Sequence, residues 1–282
     1  LYIDGAFPRS ESGHTYPVKQ KQGNTLAMVG LSTRKDVRQA VVAARKAFES
    51  WSNKTHFNRS QILYRIAEML ETRKDSFVTE LMQQGATRAQ AQKEVSMSID
   101  RCVYYSGWCD KYTALFSSVN PVASPHFNFS VPEPMGVVSI LGPETCSLLG
   151  AVSVLLPVIA GGNTCVYLAS ESKPLCALSF GEVLATSDVP AGVVNILSGK
   201  GSDLHTHLSS HMDVNAVVDC RDDITQSKVM QENAALNVKR YLHWTNNWMQ
   251  ETAAHPYLIL DVQEIKTTWH PIEPAGAGGG KY

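Results

Sequence analysis

Three joins between apolar runs and helical segments carry the residues of this sequence best suited to chemistry. They are Pro143-Glu144-Thr145-Cys146-Ser147, Ser170-Glu171-Ser172 and Gly199-Lys200-Gly201. A thiol nucleophile needs a base beside it, and Cys146 has no His or Glu in a recognisable pairing. Lys200 is a conceivable phosphate contact, but a Gly-Lys-Gly stretch after a strand reads first as a turn, and none of the three joins is a glycine-rich phosphate loop. His207 and His211 stand at helical i, i+4 spacing without an acidic or Cys ligand in metal spacing. Asp219, Asp222 and Asp223 flank Arg221 in an acidic run whose first reading is a solvated loop and whose second is a recognition surface. The residues alone therefore assign no catalytic, cofactor-binding or metal-binding site.

The elements that hold these joins are strands and crossover helices. Gly136-Val-Val-Ser-Ile-Leu-Gly, Thr164-Cys-Val-Tyr-Leu-Ala-Ser and Val193-Val-Asn-Ile-Leu-Ser-Gly are near-continuous apolar runs, the pattern of parallel strands covered on both faces. The segments between them are long enough for helices, which gives βαβαβ, a mononucleotide-binding type of half-fold. In such a sheet ligands sit beyond the carboxyl ends of the strands, where the three joins lie. Upstream, residues 1–31 alternate around Gly5, Gly13 and Gly23-Asn24 as short hairpins. Thr33-x-x-Asp36 then caps a helix running to Trp51, followed by helices over Arg59–Lys74, from about Asp75 to Gln83, and from Gly85 to Trp108. From Leu115 to Val131 the chain reads as loop and strand, with Pro121, Pro125, Pro132 and Pro134 excluding a long helix.

At 282 residues with 44% hydrophobic and 18% charged, the chain can bury a substantial core. A formal net charge of −1 and the absence of a basic run argue against nucleic acid and membrane partners. Leu148 to Ala160, the longest apolar run, is too short to span a bilayer and reads as a buried helix. Six scattered cysteines without a C-x-x-C pair fit a reducing, cytoplasmic compartment, and the sequons at Asn53, Asn58 and Asn128 read as chance. The sequence begins at Leu1 rather than Met, as a piece of a longer chain would.

Five ordered blocks carry a resemblance. Arg101-Cys-Val-Tyr-Tyr-Ser-Gly-Trp-Cys-Asp-Lys, Val131-Pro-Glu-Pro-Met-Gly-Val-Val, Ala160-Gly-Gly-Asn-Thr-Cys-Val, Pro190-Ala-Gly-Val-Val-Asn-Ile-Leu-Ser-Gly and Asn237-Val-Lys-Arg resemble, in order and spacing, segments of aldehyde dehydrogenases. The likeness covers about residues 1–242. Val262-Gln-Glu-Ile-Lys-Thr-Thr-Trp-His is similar to the family's final strand, which belongs to its oligomerisation arm. Between these matches there is no room for the catalytic domain that the resemblance would insert. This truncated form most resembles the C-terminal region of aldehyde dehydrogenase family 16, whose members carry two such regions in tandem.

The resemblance also says where the chemistry would lie. It gives no counterpart here to the loop of the nucleophilic Cys. It sets the family's general-base Glu on Trp244, whose indole cannot accept a proton from water at neutral pH. The oxyanion-donating Asn falls on Thr145, within a turn expected to be kept for packing. The ribose-binding Lys falls on Leu168, although that motif's Glu survives as Glu171. The pyrophosphate stretch F-T-G-S-T-x-x-G becomes Asp219-Cys220-Arg221-Asp222-Asp223-Ile224-Thr225-Gln226, which replaces Gly by bulk and sets three carboxylates where phosphates would lie.

The expected architecture is α/β: a Rossmann-like parallel sheet with helices on both faces and a small antiparallel oligomerisation arm. A degenerate NAD-binding-type domain takes residues 1–114 and 132–244, the arm takes 115–131 and 256–272, and 273–282 form a disordered Gly-rich tail. The expectation is a pseudoenzyme, without catalysis or cofactor, that forms a homodimer or docks onto a full aldehyde dehydrogenase domain of the same polypeptide. One alternative is a residual NAD or nucleotide sensor, supported by Glu171, Lys200 and Arg221. Another is an accessory domain of an aldehyde oxidoreductase whose active site lies elsewhere in the parent chain.

Overall fold

The computed structural model describes residues 1–20 and 23–272; the tail expected over 273–282 lies outside them. The element order is β1 (Thr15–Lys19), β2 (Thr25–Gly30), α1 (Arg34–Ser52), α2 (His56–Thr72), α3 (Lys74–Gln83), α4 (Arg88–Trp108) and α5 (Tyr112–Phe116). It continues with β3 (Ser118–Asn120), β4 (His126–Pro134), β5 (Val137–Leu141), α6 (Leu148–Ala160), β6 (Thr164–Leu168), α7 (Leu175–Ala185) and β7 (Val194–Leu197). Then come α8 (Gly201–Ser210), β8 (Ala216–Asp219), α9 (Ile224–Leu236), β9 (Arg240–His243), α10 (Tyr257–Asp261) and β10 (Gln263–Pro271).

Five parallel strands form the central sheet in the order β7-β6-β5-β8-β9. Every residue of β5, β6, β7 and β8 is buried, as near-continuous apolar runs require when helices cover both faces. On one face, α6 has all 13 of its residues buried and packs on α4, α7 and β6. On the other, α1 presents Val37, Ala40, Val41 and Ala44 to Val137, Val166 and Leu197. Local chemistry sets the helix starts. Thr33 and Asp36 form the capping box of α1, and Thr87 with Gln90 forms that of α4. Helix α2 begins at His56, three residues before the Arg59 expected from periodicity, because the Thr55 side chain accepts from the Asn58 amide.

A separate three-stranded antiparallel sheet has the order β10-β4-β3. Strands β10 and β4 pair in unbroken register from Gln263↔Pro134 to Pro271↔His126. This sheet therefore reaches Pro134 rather than stopping at 131, and α5 and α10 occupy the outer parts of the two segments expected to be strand. Among the described residues, no helix is long and apolar enough to cross a membrane.

Candidate functional site

The carboxyl ends of β5, β6 and β8 meet at one crevice, and side chains of this chain fill its floor. Glu144, after β5, accepts from Ser170 Oγ at 2.6 Å, the Glu171 amide at 3.0 Å and Ser172 Oγ at 3.2 Å. Arg221, after β8, donates Nε to the Gly142 carbonyl at 3.2 Å and Nη2 to the Ala169 carbonyl at 3.1 Å. Its Nη2 also lies 3.4 Å from Glu144 Oε1. One carboxylate and one guanidinium thus lace the three loops together. Burial alone would raise the Glu144 carboxyl, but Arg221 and the hydroxyl and amide donors hold it below the ordinary carboxylate range. Gly201, the first residue of α8, leaves room for this arrangement, since a Cβ there would push the Arg221 guanidinium aside. A Cβ on Gly142 would run into the buried Tyr167 ring.

Asp219 does not belong to a solvated loop. It is 1% exposed, accepts from Ser227 Oγ at 2.6 Å, Tyr241 Oη at 2.8 Å and the Arg221 amide at 3.0 Å, and so pins α9 and β9 to the end of β8. Asp222 and Asp223 are exposed, and Asp223 caps α9 by accepting from the Gln226 amide at 3.0 Å. Above this floor lies an open cleft of about 840 Å³ between β1 and the start of α9. Glu144, Glu171, Asp222 and Asp223 line it, with Arg221 and Lys19 as its cations. Tyr16, on β1, and Gln226 also line it; Tyr16 carries no local motif and sequence reasoning passed over it, while Gln226 ends the stretch that the family resemblance matches to the pyrophosphate motif.

The remaining candidate positions scatter. Leu168 is fully buried in β6. Thr145 is exposed and Cys146 buried beside the start of α6, where Glu94 Oε1 accepts from the Leu148 and Leu149 amides at 2.9 and 3.2 Å. Glu94 is thereby a helix cap supplied from α4, which no local spacing could reveal. Burial, followed by the Glu94 charge, pushes the Cys146 thiol up, so it is a poor thiolate. Lys200 is exposed ahead of α8. His205 bonds the Gly201 carbonyl, and no group of three or more His, Cys, Asp or Glu among the described residues could hold a metal ion.

The segment from Trp244 to Val262, which looked almost empty in sequence, is part of the core. Trp248, Leu258, Ile259 and Val262 are at most 2% exposed. Trp244 Nε1 donates to Asp261 Oδ2 at 3.1 Å, closing the segment on itself. Buried Arg101 on α4 donates to Ser153 Oγ of α6 and to the Trp248 and Gln250 carbonyls, at 3.0, 3.2 and 3.2 Å. Asn163 Nδ2 donates to the Val262 carbonyl at 2.8 Å, while its Oδ1 accepts from the Gly136 amide. Arg240 Nη1 reaches the Asp261 and Gln263 carbonyls at 2.7 and 2.6 Å. The chain is thus led from β9 straight into β10.

Comparison with known proteins agrees with this architecture. The profile of the aldehyde dehydrogenase family matches residues 8–243. A cytosolic 10-formyltetrahydrofolate dehydrogenase from Xenopus tropicalis is 35% identical over 247 residues, covering 85% of this chain and 27% of that protein. An aldehyde dehydrogenase from Davidiella tassiana is 33% identical over 243 residues, covering 85% and 48%. The NAD+ complex of an aldehyde dehydrogenase from Bacillus cereus superposes with a TM-score of 0.81 at 26% identity, over 86% of this chain and 50% of that one. PnpE from Pseudomonas sp. WBC-3 gives 0.81 at 28% identity, with the same coverage. This chain therefore spans about half the length of those aldehyde dehydrogenases and about a quarter of the formyltetrahydrofolate enzyme. With a profile match over most of its length and the same sheet and helices, the chain belongs to the aldehyde dehydrogenase family.

Proposed function

We propose that this chain is a non-catalytic module that serves assembly within a larger aldehyde-dehydrogenase-family protein, of the kind formed by the C-terminal region of aldehyde dehydrogenase family 16. The observation that carries this reading is the path from Trp244 to Val262. A packed segment, held by Arg101 and Asn163, joins the parallel sheet directly to β10, and Trp244 stands where the family resemblance sets its base. The dinucleotide of the Bacillus cereus complex does not fit the residues of this crevice. Arg221 fills the place of a small residue, its guanidinium is spent on two carbonyls and Glu144, and Asp222 and Asp223 add negative charge beside it. A phosphate there would meet like charges on Asp222 and Asp223, which opposes its binding.

The partner is a second copy or a complete aldehyde dehydrogenase domain of the same polypeptide, reached through the antiparallel sheet. Strand β10 ends that sheet, so one of its sides has no strand partner among the described residues. Ile265 and Trp269 on it are 53% and 56% exposed, although Glu264 and Lys266, exposed on the same strand, supply the charge with which proteins ordinarily blunt such an edge. Adding a strand there would satisfy a row of backbone groups at once. Sedimentation of the chain over a concentration series, alone and with the catalytic region of its parent, tests this. Self-association or a complex is expected; a strictly monomeric mass with no complex would sink the reading.

A further inference from the structure

The cleft above Arg221 holds two unsatisfied polar atoms. Tyr16 is nine-tenths buried, and its hydroxyl has no hydrogen-bond partner; Gln226 Oε1 is likewise buried and unpartnered. The orientation of the Gln226 amide is set, because its nitrogen donates to Asp223 Oδ2 at 2.7 Å, so the free atom is an acceptor. A buried polar group left unpaired is destabilising, and such groups in folded proteins ordinarily find a partner. Around these atoms the charge is one-sided: four carboxylates face Arg221 and Lys19, and Arg221 is already engaged by two carbonyls and Glu144. Acceptors and carboxylates converging on one cleft suit a cationic donor.

The rim narrows the class of ligand. Ile224 is 85% exposed beside Asp222 and Asp223, and the same residue borders a second, smaller depression with Asp222. A metal ion has no use for that apolar ridge, and the carboxylates form no metal-holding group. A chain bearing both ammonium groups and an apolar side chain matches it. We propose that this cleft is a docking site for a basic, partly apolar peptide segment of a protein partner, with a lysine or arginine entering between Tyr16 and the carboxylates while an apolar neighbour covers Ile224. Where the family fold would offer a crevice for an anion, this chain offers one for a cation. The inference rests on the reading that the crevice no longer serves a dinucleotide.

The test is fluorescence anisotropy with a labelled short peptide of alternating lysine and leucine, its glutamate counterpart, and spermine as competitor. The expected result is saturable binding of the lysine peptide that weakens with salt. Asp222→Asn with Asp223→Asn, which keeps a competent cap on α9, should weaken it about tenfold, and Tyr16→Phe by a smaller factor. The glutamate peptide should not bind. Absence of binding, or binding untouched by the double substitution, overturns the proposal. Displacement by spermine as effective as by unlabelled peptide also overturns it, in favour of a small polyamine. Saturable NAD binding in a parallel titration would instead remove the underlying reading, so the two failures are distinguishable.

Discussion

The two sheets of this molecule treat their open ends in opposite ways. At the carboxyl end of the parallel sheet, Glu144 and Arg221 tie three loops together and cover the strand ends with side chains. At the antiparallel sheet, β10 ends the order β10-β4-β3, with apolar side chains exposed along it. The first end is where an α/β fold ordinarily does its chemistry, and the second is where a sheet ordinarily meets another chain. On the proposed reading, the fold has given up the first task and kept the second, because different residues control them. Between them the Trp244–Val262 segment packs into the core and joins β9 to β10.

Breaking that segment should have the largest effect. Trp248→Ala empties a site 2% exposed and is expected to cost about 3–5 kcal/mol of stability, read from urea unfolding. Arg101→Ala strips the donor from two carbonyls and a hydroxyl in the interior, and should cost about 2–4 kcal/mol by the same measurement. If either change is neutral, the segment is not what binds the two sheets. Ile265→Lys with Trp269→Lys should leave unfolding within about 0.5 kcal/mol of the parent, because both side chains are more than half exposed. The same pair should weaken association about tenfold or more, read by sedimentation. Unchanged association would move the interface away from β10.

Smaller effects sharpen the picture of the parallel sheet's end. Asp223→Ala removes the side-chain acceptor that caps α9 and should lower the midpoint of urea unfolding slightly. Lys239, just before β9, has its ammonium pushed down to about 8 by burial, with Asp213 opposing the shift. Its folded value lies below its unfolded one, so the unfolded chain binds more protons between about pH 8 and 10.5. Stability should rise with pH across that window, and its burden is fully present below it. Lys239→Met should flatten this contribution when unfolding of both proteins is followed from pH 7 to 10.

The sequence carried the local decisions well and the distant ones poorly. Thr33 and Asp36 announce the start of α1 because a capping box is complete within four residues. The strands of the parallel sheet are legible because burial on both faces leaves an unbroken apolar run. Asp219 was misread as solvated because its partners, Ser227 and Tyr241, lie on α9 and β9, and only the fold brings them to it. Glu94 was invisible for the same reason, as it caps a helix other than its own. Trp248 gave no periodic signal, since its segment is irregular and its burial comes from the fold rather than from its own pattern. Family resemblance supplied the positions of Thr145, Leu168 and Trp244 but not the Arg221–Glu144 lacing, which depends on side-chain reach across three loops.

The central claim is that the crevice at the end of the parallel sheet no longer accepts a dinucleotide. A calorimetric titration of the chain with NAD and NADP, with tryptophan fluorescence as a second readout, tests it most directly. No saturable heat and no fluorescence change are expected at millimolar cofactor. Saturable binding in the micromolar range would contradict it, and would mean that Arg221 swings away from Gly142 and Ala169 to receive a phosphate.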